Sequence, residues 1–280
     1  MNVAPAGREE FLALMRGTYG AAMSEAEFDW WFDRNPAGPR ILNAAHDDDG
    51  TPLGVLAMSL ARMDNGLAAF AVHAVTTPEA RGRGVFSTLE LHNEQEAVAV
   101  GAAWGLGFTN PMAGPILVGK LGWEDVCSLR IWVRPKRLRR RGGGGLRRTD
   151  PSPSPAPRSL AGHHIVRDAA YLDWRYADSP RPYAQAGDAI VTHAVWHGFS
   201  SAVVCEDGSP RELRRGAAAV DADIAVAFVN PGEEPRYLRA GFFPSPRTIR
   251  FIGKRLTDDA PPLPKHRDAW RVSLGDLDFF

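Results

Sequence analysis

The feature that most limits how this chain can fold is that its second half repeats the landmarks of its first in the same order. Phe28-Asp29-Trp30-Trp31-Phe32-Asp33-Arg34-Asn35-Pro36 is echoed by Tyr171-Leu172-Asp173-Trp174-Arg175-Tyr176-Ala177-Asp178-Ser179-Pro180. Farther on, Gly107-Phe108-Thr109-Asn110-Pro111, Pro115 and Leu121-Gly122-Trp123 are answered by Ala227-Phe228-Val229-Asn230-Pro231, Pro235 and Ala240-Gly241-Phe242. Ordered echoes at comparable spacing read as a tandem duplication, and 280 residues suffice for two hydrophobic cores. The expected division is residues 1–138, a basic Gly/Pro-rich linker over 139–162, and residues 163–280. Within the linker Gly142–Gly145 is flexible and Pro151–Pro157 stiff and extended, so neither builds a core.

Each half alternates strand-like and helical patterns. In the first, Phe11, Leu12, Leu14 and Met15, then Phe28, Trp31 and Phe32 behind the cap Ser24, mark helices that stop at Asn35-Pro36. Strands are expected at Ile41–Ala45, Leu53–Leu60 and Leu67–Val75. Their connectors Asp47-Asp48-Asp49-Gly50 and Met63-Asp64-Asn65-Gly66 suit the positive φ of tight turns, which makes an antiparallel meander. A helix from Phe86 to Val100 follows, interrupted by Asn93. Then come a strand at Trp104–Thr109, a helix at Pro115–Leu121 and a strand at Val126–Val133.

Between the third strand and the helix lies Thr76-Thr77-Pro78-Glu79-Ala80-Arg81-Gly82-Arg83-Gly84-Val85-Phe86. Gly82 and Gly84 let a ligand approach the backbone closely, the first helical turn offers unpaired N–H groups, and Arg81 and Arg83 add charge. This is a place to hold phosphates. The turn resembles the pyrophosphate loop of the GNAT superfamily of N-acetyltransferases, whose pattern Arg/Gln-x-x-Gly-x-Gly/Ala is met by Arg81 and Gly84 and departed from at Phe86. A large side chain at that last position can enter the core while its N–H still donates. The element order of roughly Arg8 to Arg134 also fits that superfamily. The fold class implied is α/β (α+β): two GNAT-like domains, each a mixed, mostly antiparallel sheet flanked by helices.

The resemblance implies acetyl transfer from acetyl-CoA to a small-molecule or peptide amine. The thioester would lie along Ala74, Val75 and Thr76, the pyrophosphate on Arg81, Gly82, Arg83, Gly84, Val85 and Phe86, and Asn110 would contact the pantetheine arm. His73 is the first candidate base, with Glu90 as an alternative. Many relatives carry a tyrosine acid where this chain has Val118, which leaves Tyr19 as the candidate acid; the matching tyrosine occurs in the second half, as Tyr237. Trp30, Trp31 and Phe32 would line the acceptor site or the core. The second half has Glu206-Asp207-Gly208-Ser209 in place of the glycine turn, and its carboxylates would repel a pyrophosphate, so it reads as degenerate and non-catalytic.

Composition narrows the remaining choices. Lys+Arg and Asp+Glu both number 33, which gives no argument for nucleic acid, although Val126–Thr149 holds basic residues and no acidic ones. No apolar run of membrane-spanning length and no secretion signal is present, so a cytoplasmic protein is expected. Two cysteines, Cys127 and Cys205, are too few for a disulfide framework, and the eight histidines have no metal-ligand spacing. A homodimer is compatible with this reading. The rival functions are a non-catalytic acyl-CoA-binding or interaction protein and an aminoacyltransferase of the Fem type, which also pairs two such domains.

Overall fold

A computed structural model describes residues 1–20, 23–136, 153–196 and 198–277. They fall into two compact units, Met1–Val126 with Arg250–Lys265, and Cys127–Ile249 with His266–Phe280.

The chain opens with β1 (Asn2–Pro5), α1 (Arg8–Tyr19) and α2 (Glu25–Phe28), which runs on as a π-helical turn, Asp29–Asp33. Ser24 starts α2 with a capping box: its hydroxyl accepts from the Glu27 N–H while the Glu27 carboxylate accepts from the Ser24 N–H. Next come β2 (Ile41–His46), β3 (Pro52–Met63), β4 (Gly66–Thr76), α3 (Val85–Ala99), β5 (Trp104–Thr109), α4 (Gly114–Lys120) and β6 (Glu124–Pro135). The turn from β2 to β3 is built by Asp47, whose Oδ1 accepts from the N–H groups of Asp49 and Thr51, with Gly50 at φ +81°.

The later part carries α5 (Ala169–Leu172), capped by the Asp168 side chain, and a second π-helical turn, Asp173–Ala177. It continues with β7 (Ala184–Ala186), β8 (Ala189–Trp196), β9 (Phe199–Glu206), α6 (Pro210–Ala219), β10 (Ile224–Phe228), α7 (Glu234–Ala240) and β11 (Phe243–Arg255). Helix, π-helical turn, three antiparallel strands, helix, strand, helix, strand thus occurs twice.

In the first unit β1, β2, β3 and β4 pair antiparallel in sequence order, and β4 pairs parallel with β5. The other edge of β5 is covered by Arg250–Arg255 of β11, antiparallel to Thr109–Trp104. In the second unit Ile131–Pro135 of β6 pairs antiparallel with β10, β10 pairs parallel with β9, and β9, β8 and β7 are antiparallel. These units therefore do not follow the expected segments 1–138 and 163–280, since Arg250–Lys265 belongs with the first unit and Cys127–Pro135 with the second. Both halves end in a strand of similar pattern, and the pattern along a strand does not say which sheet edge it completes.

Residues 137–152, with Gly142–Gly145 and most of the basic run, lie outside the described residues. The end of the expected linker is no loose connector: the Arg158 N–H donates to the Arg167 carbonyl at 3.1 Å, and the Arg158 guanidinium pairs with Glu206.

Between the first unit's sheet and α3 lie Leu56, Met58, Val85, Leu89 and Ala97, all buried. Asn93, which breaks the apolar stripe of α3, has a reason to be there: its Nδ2 donates to the Leu56 carbonyl at 2.9 Å, and its Oδ1 accepts from Asn43 Nδ2 at 2.8 Å. The second unit buries Val191, Val204, Leu213, Ala217, Tyr237 and Phe242. Cys127 and Cys205 are free thiols, and burial pushes both up, Cys205 to about 12.

Candidate active site

Two irregularities of the first sheet make the site. The register between β3 and β4 slips where Met58 faces Ala71 and Leu56 faces Ala74, so β4 uses one residue more than β3 over Val72 and His73. Such a bulge bends a strand and re-aims its groups. The parallel pairing of β4 with β5 also stops, at Phe70 and Leu106, although β4 runs on to Thr76 and β5 to Thr109. β5 stays with β11 to its end, Thr109 facing Arg250, so a gap opens between β4 and β5.

Backbone groups of β4 face that gap. The Ala74 carbonyl accepts from the Tyr19 hydroxyl at 3.0 Å, and the Thr77 N–H donates to the Leu53 carbonyl at 3.0 Å on the β3 side. N–H and C=O of one strand residue point the same way and alternate along the strand. The N–H groups of Ala74 and Thr76 therefore point into the gap and that of Val75 toward β3.

β4 leads directly into the glycine turn. Pro78–Ala80 is a single 3₁₀ turn, and Gly82 at φ +76° and Gly84 at φ +80° carry the chain into α3. Side chains rarely adopt these angles, and no atom lies within 4 Å of where a Cβ would stand on either glycine, so the turn presents bare backbone. No side chain caps α3, and among the described residues the N–H groups of Gly84, Val85, Phe86 and Ser87 meet no main-chain acceptor. Arg81 and Arg83 are exposed beside them. The Phe86 ring packs inward against the buried cluster of Leu117, Trp123 and Ile252. Its bulk is thus kept out of the turn. Gly54, opposite Thr76, lets the end of β4 sit against α3: a Cβ there would lie 2.5 Å from the Val75 carbonyl oxygen and 3.0 Å from Val85 Cγ1.

The other expected site residues are distributed unevenly. His73, at the bulge, lies edge-on to Phe11 and Phe32, with ring centroids 6.0 Å and 6.1 Å away. Tyr19, at the end of α1, is brought to the same stretch of β4. Glu90 is fully enclosed on α3, and both its carboxylate oxygens lack a hydrogen-bond partner. Burial, reinforced by the Glu94 carboxylate one turn on and opposed by Lys254, pushes it up to about 8. At neutral pH it is therefore chiefly a carboxylic acid. Trp30, Trp31 and Phe32 are buried. Asn110, at the end of β5, uses its Oδ1 to accept from the Met112 and Ala113 N–H groups, both at 2.9 Å, and so forms the turn into α4. Val118 packs on the Leu117, Trp123 and Ile252 cluster. Among the described residues no group of three or more His, Cys, Asp or Glu could hold a metal ion, and no helix is long and apolar enough to cross a membrane.

The matching turn of the second unit is closed. Ser209 and Glu212 form a capping box at the start of α6, and a Cβ on Gly208 would lie 2.9 Å from Ala189 N. Glu206 is buried between Arg167, Arg158 and Tyr176, and these partners hold it below the usual carboxylate range in spite of its burial. Tyr237, fully buried, donates to Asp207. No bare amide cradle is left there.

No family model and no curated protein matches the sequence. Solved structures do resemble it. A Pyrococcus horikoshii protein provisionally described as an acetyltransferase has a TM-score of 0.61 and 13% identity, over 99% of this chain and 94% of its own. A GCN5-related N-acetyltransferase from Anabaena variabilis has a TM-score of 0.56 and 13% identity, over 91% of this chain and 73% of its own. One from Kribbella flavida has a TM-score of 0.55 and 15% identity, over 91% of this chain and 72% of its own. Likeness at such identities is likeness of fold. The chain has the fold of the GCN5-related N-acetyltransferases.

Proposed function

We propose that the first unit binds acetyl-CoA and transfers its acetyl group to a small-molecule or peptide amine. One observation carries this reading: the outward N–H groups of Ala74 and Thr76 run straight into the bare amides and flanking arginines of Arg81 to Phe86. A diphosphate on that turn would be neutralised by Arg81 and Arg83 and receive N–H groups from Gly84, Val85 and Phe86. An arm laid in the gap would meet the backbone of β4 and, at its far side, the Asn110 amide. Acetyl-CoA supplies an activated carbonyl and a thiolate leaving group.

The chain supplies position and proton handling. The Ala74 or Thr76 N–H polarises the carbonyl as negative charge develops on its oxygen. His73 takes the proton that the attacking amine must lose when its nitrogen bonds to the carbonyl carbon. As the carbon–sulfur bond breaks, Tyr19 gives a proton to sulfur in place of the tyrosine that Val118 replaces. Glu90, protonated and enclosed, is assigned no step.

Calorimetric titration with acetyl-CoA tests the binding, and thiol release over a panel of amines tests the turnover. Binding without thiol release would favour a non-catalytic acyl-CoA-binding protein, for which Val118 is the argument. Absence of acetyl-CoA binding would remove both readings.

A further inference from the structure

The second unit has a parting of strands of its own. β9 and β10 are parallel only over Ser201–Val203 and Ile224–Val226. β9 then continues beside β8, where Glu206 faces Ile190, and β10 beside β6, where Phe228 faces Ile131. Residues 270–277 span the place where they separate. At the β10 side the Val272 N–H donates to Oδ1 of the buried Asn230 at 2.9 Å, an oxygen that also accepts from Arg267 Nη2 at 2.8 Å. At the β9 side the backbone of Gly275 rests on Cys205. A Cβ there would lie 2.7 Å from the Cys205 carbonyl oxygen and 2.5 Å from the Tyr176 hydroxyl, so only glycine fits.

Two buried guanidiniums bind the segment between those points. Arg175 donates through Nε to the Gly275 carbonyl at 2.9 Å and through Nη2 to the Leu277 carbonyl at 3.3 Å. Arg167 reaches Asp276 at 2.5 Å and the Ser273 hydroxyl at 3.2 Å. Trp270, Val272, Leu274 and Leu277 are buried. Fixed polar groups thus read main-chain N–H and C=O of a segment that closes in a 3₁₀ turn, Leu274–Asp276, while side chains fill the flanks.

We propose that the parted strands of the second unit form a binding cleft for an amide-bearing chain, and that Trp270–Leu277 is its occupant, supplied by the same polypeptide. The cleft is then closed to any other ligand until this segment is withdrawn. The proposal does not depend on what the first unit binds.

The test begins with a full-length chain carrying a site-specific protease sequence between Lys265 and His266, both exposed. After cleavage the C-terminal fragment is expected to stay bound through gel filtration. It should exchange with a fluorescent peptide of the sequence of residues 266–277 while the remainder keeps its thermal transition. A peptide carrying Gly275→Val is expected to exchange in at least about a hundredfold more weakly, and Asn230→Ala in the chain to speed release about tenfold. Loss of the fragment without re-entry of the peptide, or unfolding of the remainder when it leaves, would make the segment ordinary core and overturn the proposal. Hydrogen exchange on the uncut wild type gives a second reading. Amides of Val272 and Leu277 are expected to exchange through a local opening, faster than those of β9 and β10, and equal rates would count against a removable occupant.

Discussion

The Tyr19 hydroxyl and the Ala74 carbonyl are joined by a 3.0 Å hydrogen bond, although Tyr19 is 55% exposed. A solvent-facing bond of this kind contributes about 0.5–1.5 kcal/mol, so its removal should leave the fold standing. Tyr19→Phe is expected to keep acetyl-CoA affinity within about threefold and to lower the single-turnover transfer rate by about a hundredfold, as loss of a general acid does. An unchanged rate would return Tyr19 to a structural role.

Gly84→Asp places a carboxylate on the bare turn. The left-handed angle costs alanine about 1–2 kcal/mol and aspartate less, so Gly84→Ala sets the upper bound of the backbone effect. The aspartate variant is expected to lose at least about a hundredfold in acetyl-CoA affinity and the alanine variant less than about tenfold, since only the first adds like charge where a diphosphate would sit. Titration calorimetry separates them, with thermal unfolding as the control for folding.

Gly54→Ala tests the seat of β4 on α3. Its methyl would press on the Val75 carbonyl and Val85, so β3 or the end of β4 must shift. The expected loss is about 1–3 kcal/mol in urea denaturation, accompanied by weaker acetyl-CoA binding, since the displaced strand end opens directly into the glycine turn.

Glu90 predicts a pH dependence of stability. Its folded value near 8 lies above the ordinary 4.5, so between those values the folded chain holds a proton that the unfolded chain has lost. Stability from this group is complete below about pH 4.5 and is lost as pH rises through 8, a change on the order of a few kcal/mol. Glu90→Gln, which imitates the protonated form, is expected to leave the melting temperature nearly unchanged at pH 5 and to raise it at pH 9. Parallel melting curves across that range would show that Glu90 titrates normally.

What could be read from the residues was what local chemistry dictates. Asp47 to Gly50 and the glycines at 82 and 84 announce turns because their angles admit few other residues, and Ser24 with Glu27 announces a helix start. Pairings between distant strands left no such mark. Asn2-Val3-Ala4-Pro5 has neither length nor alternation, and it is a strand only because β2 offers an edge. The bulge at Val72 and His73 is an offset against β3, so the outward amides of β4 follow from pairing and not from composition. Asn93 interrupts the apolar pattern of its helix because it serves the Leu56 carbonyl, a partner on a distant strand. Residue type alone makes Glu90 a candidate base; its enclosure, which raises its pKa, comes from packing that the sequence does not display.

The placing of Arg250–Arg255 beside β5, and of Ile131–Pro135 beside β10, has a consequence for heredity. A recombination that parted the two halves of the coding sequence would give two products, each with a sheet lacking a strand that the other still encodes. The later half has no bare turn like that of Gly82 and Gly84, yet neither half can be discarded.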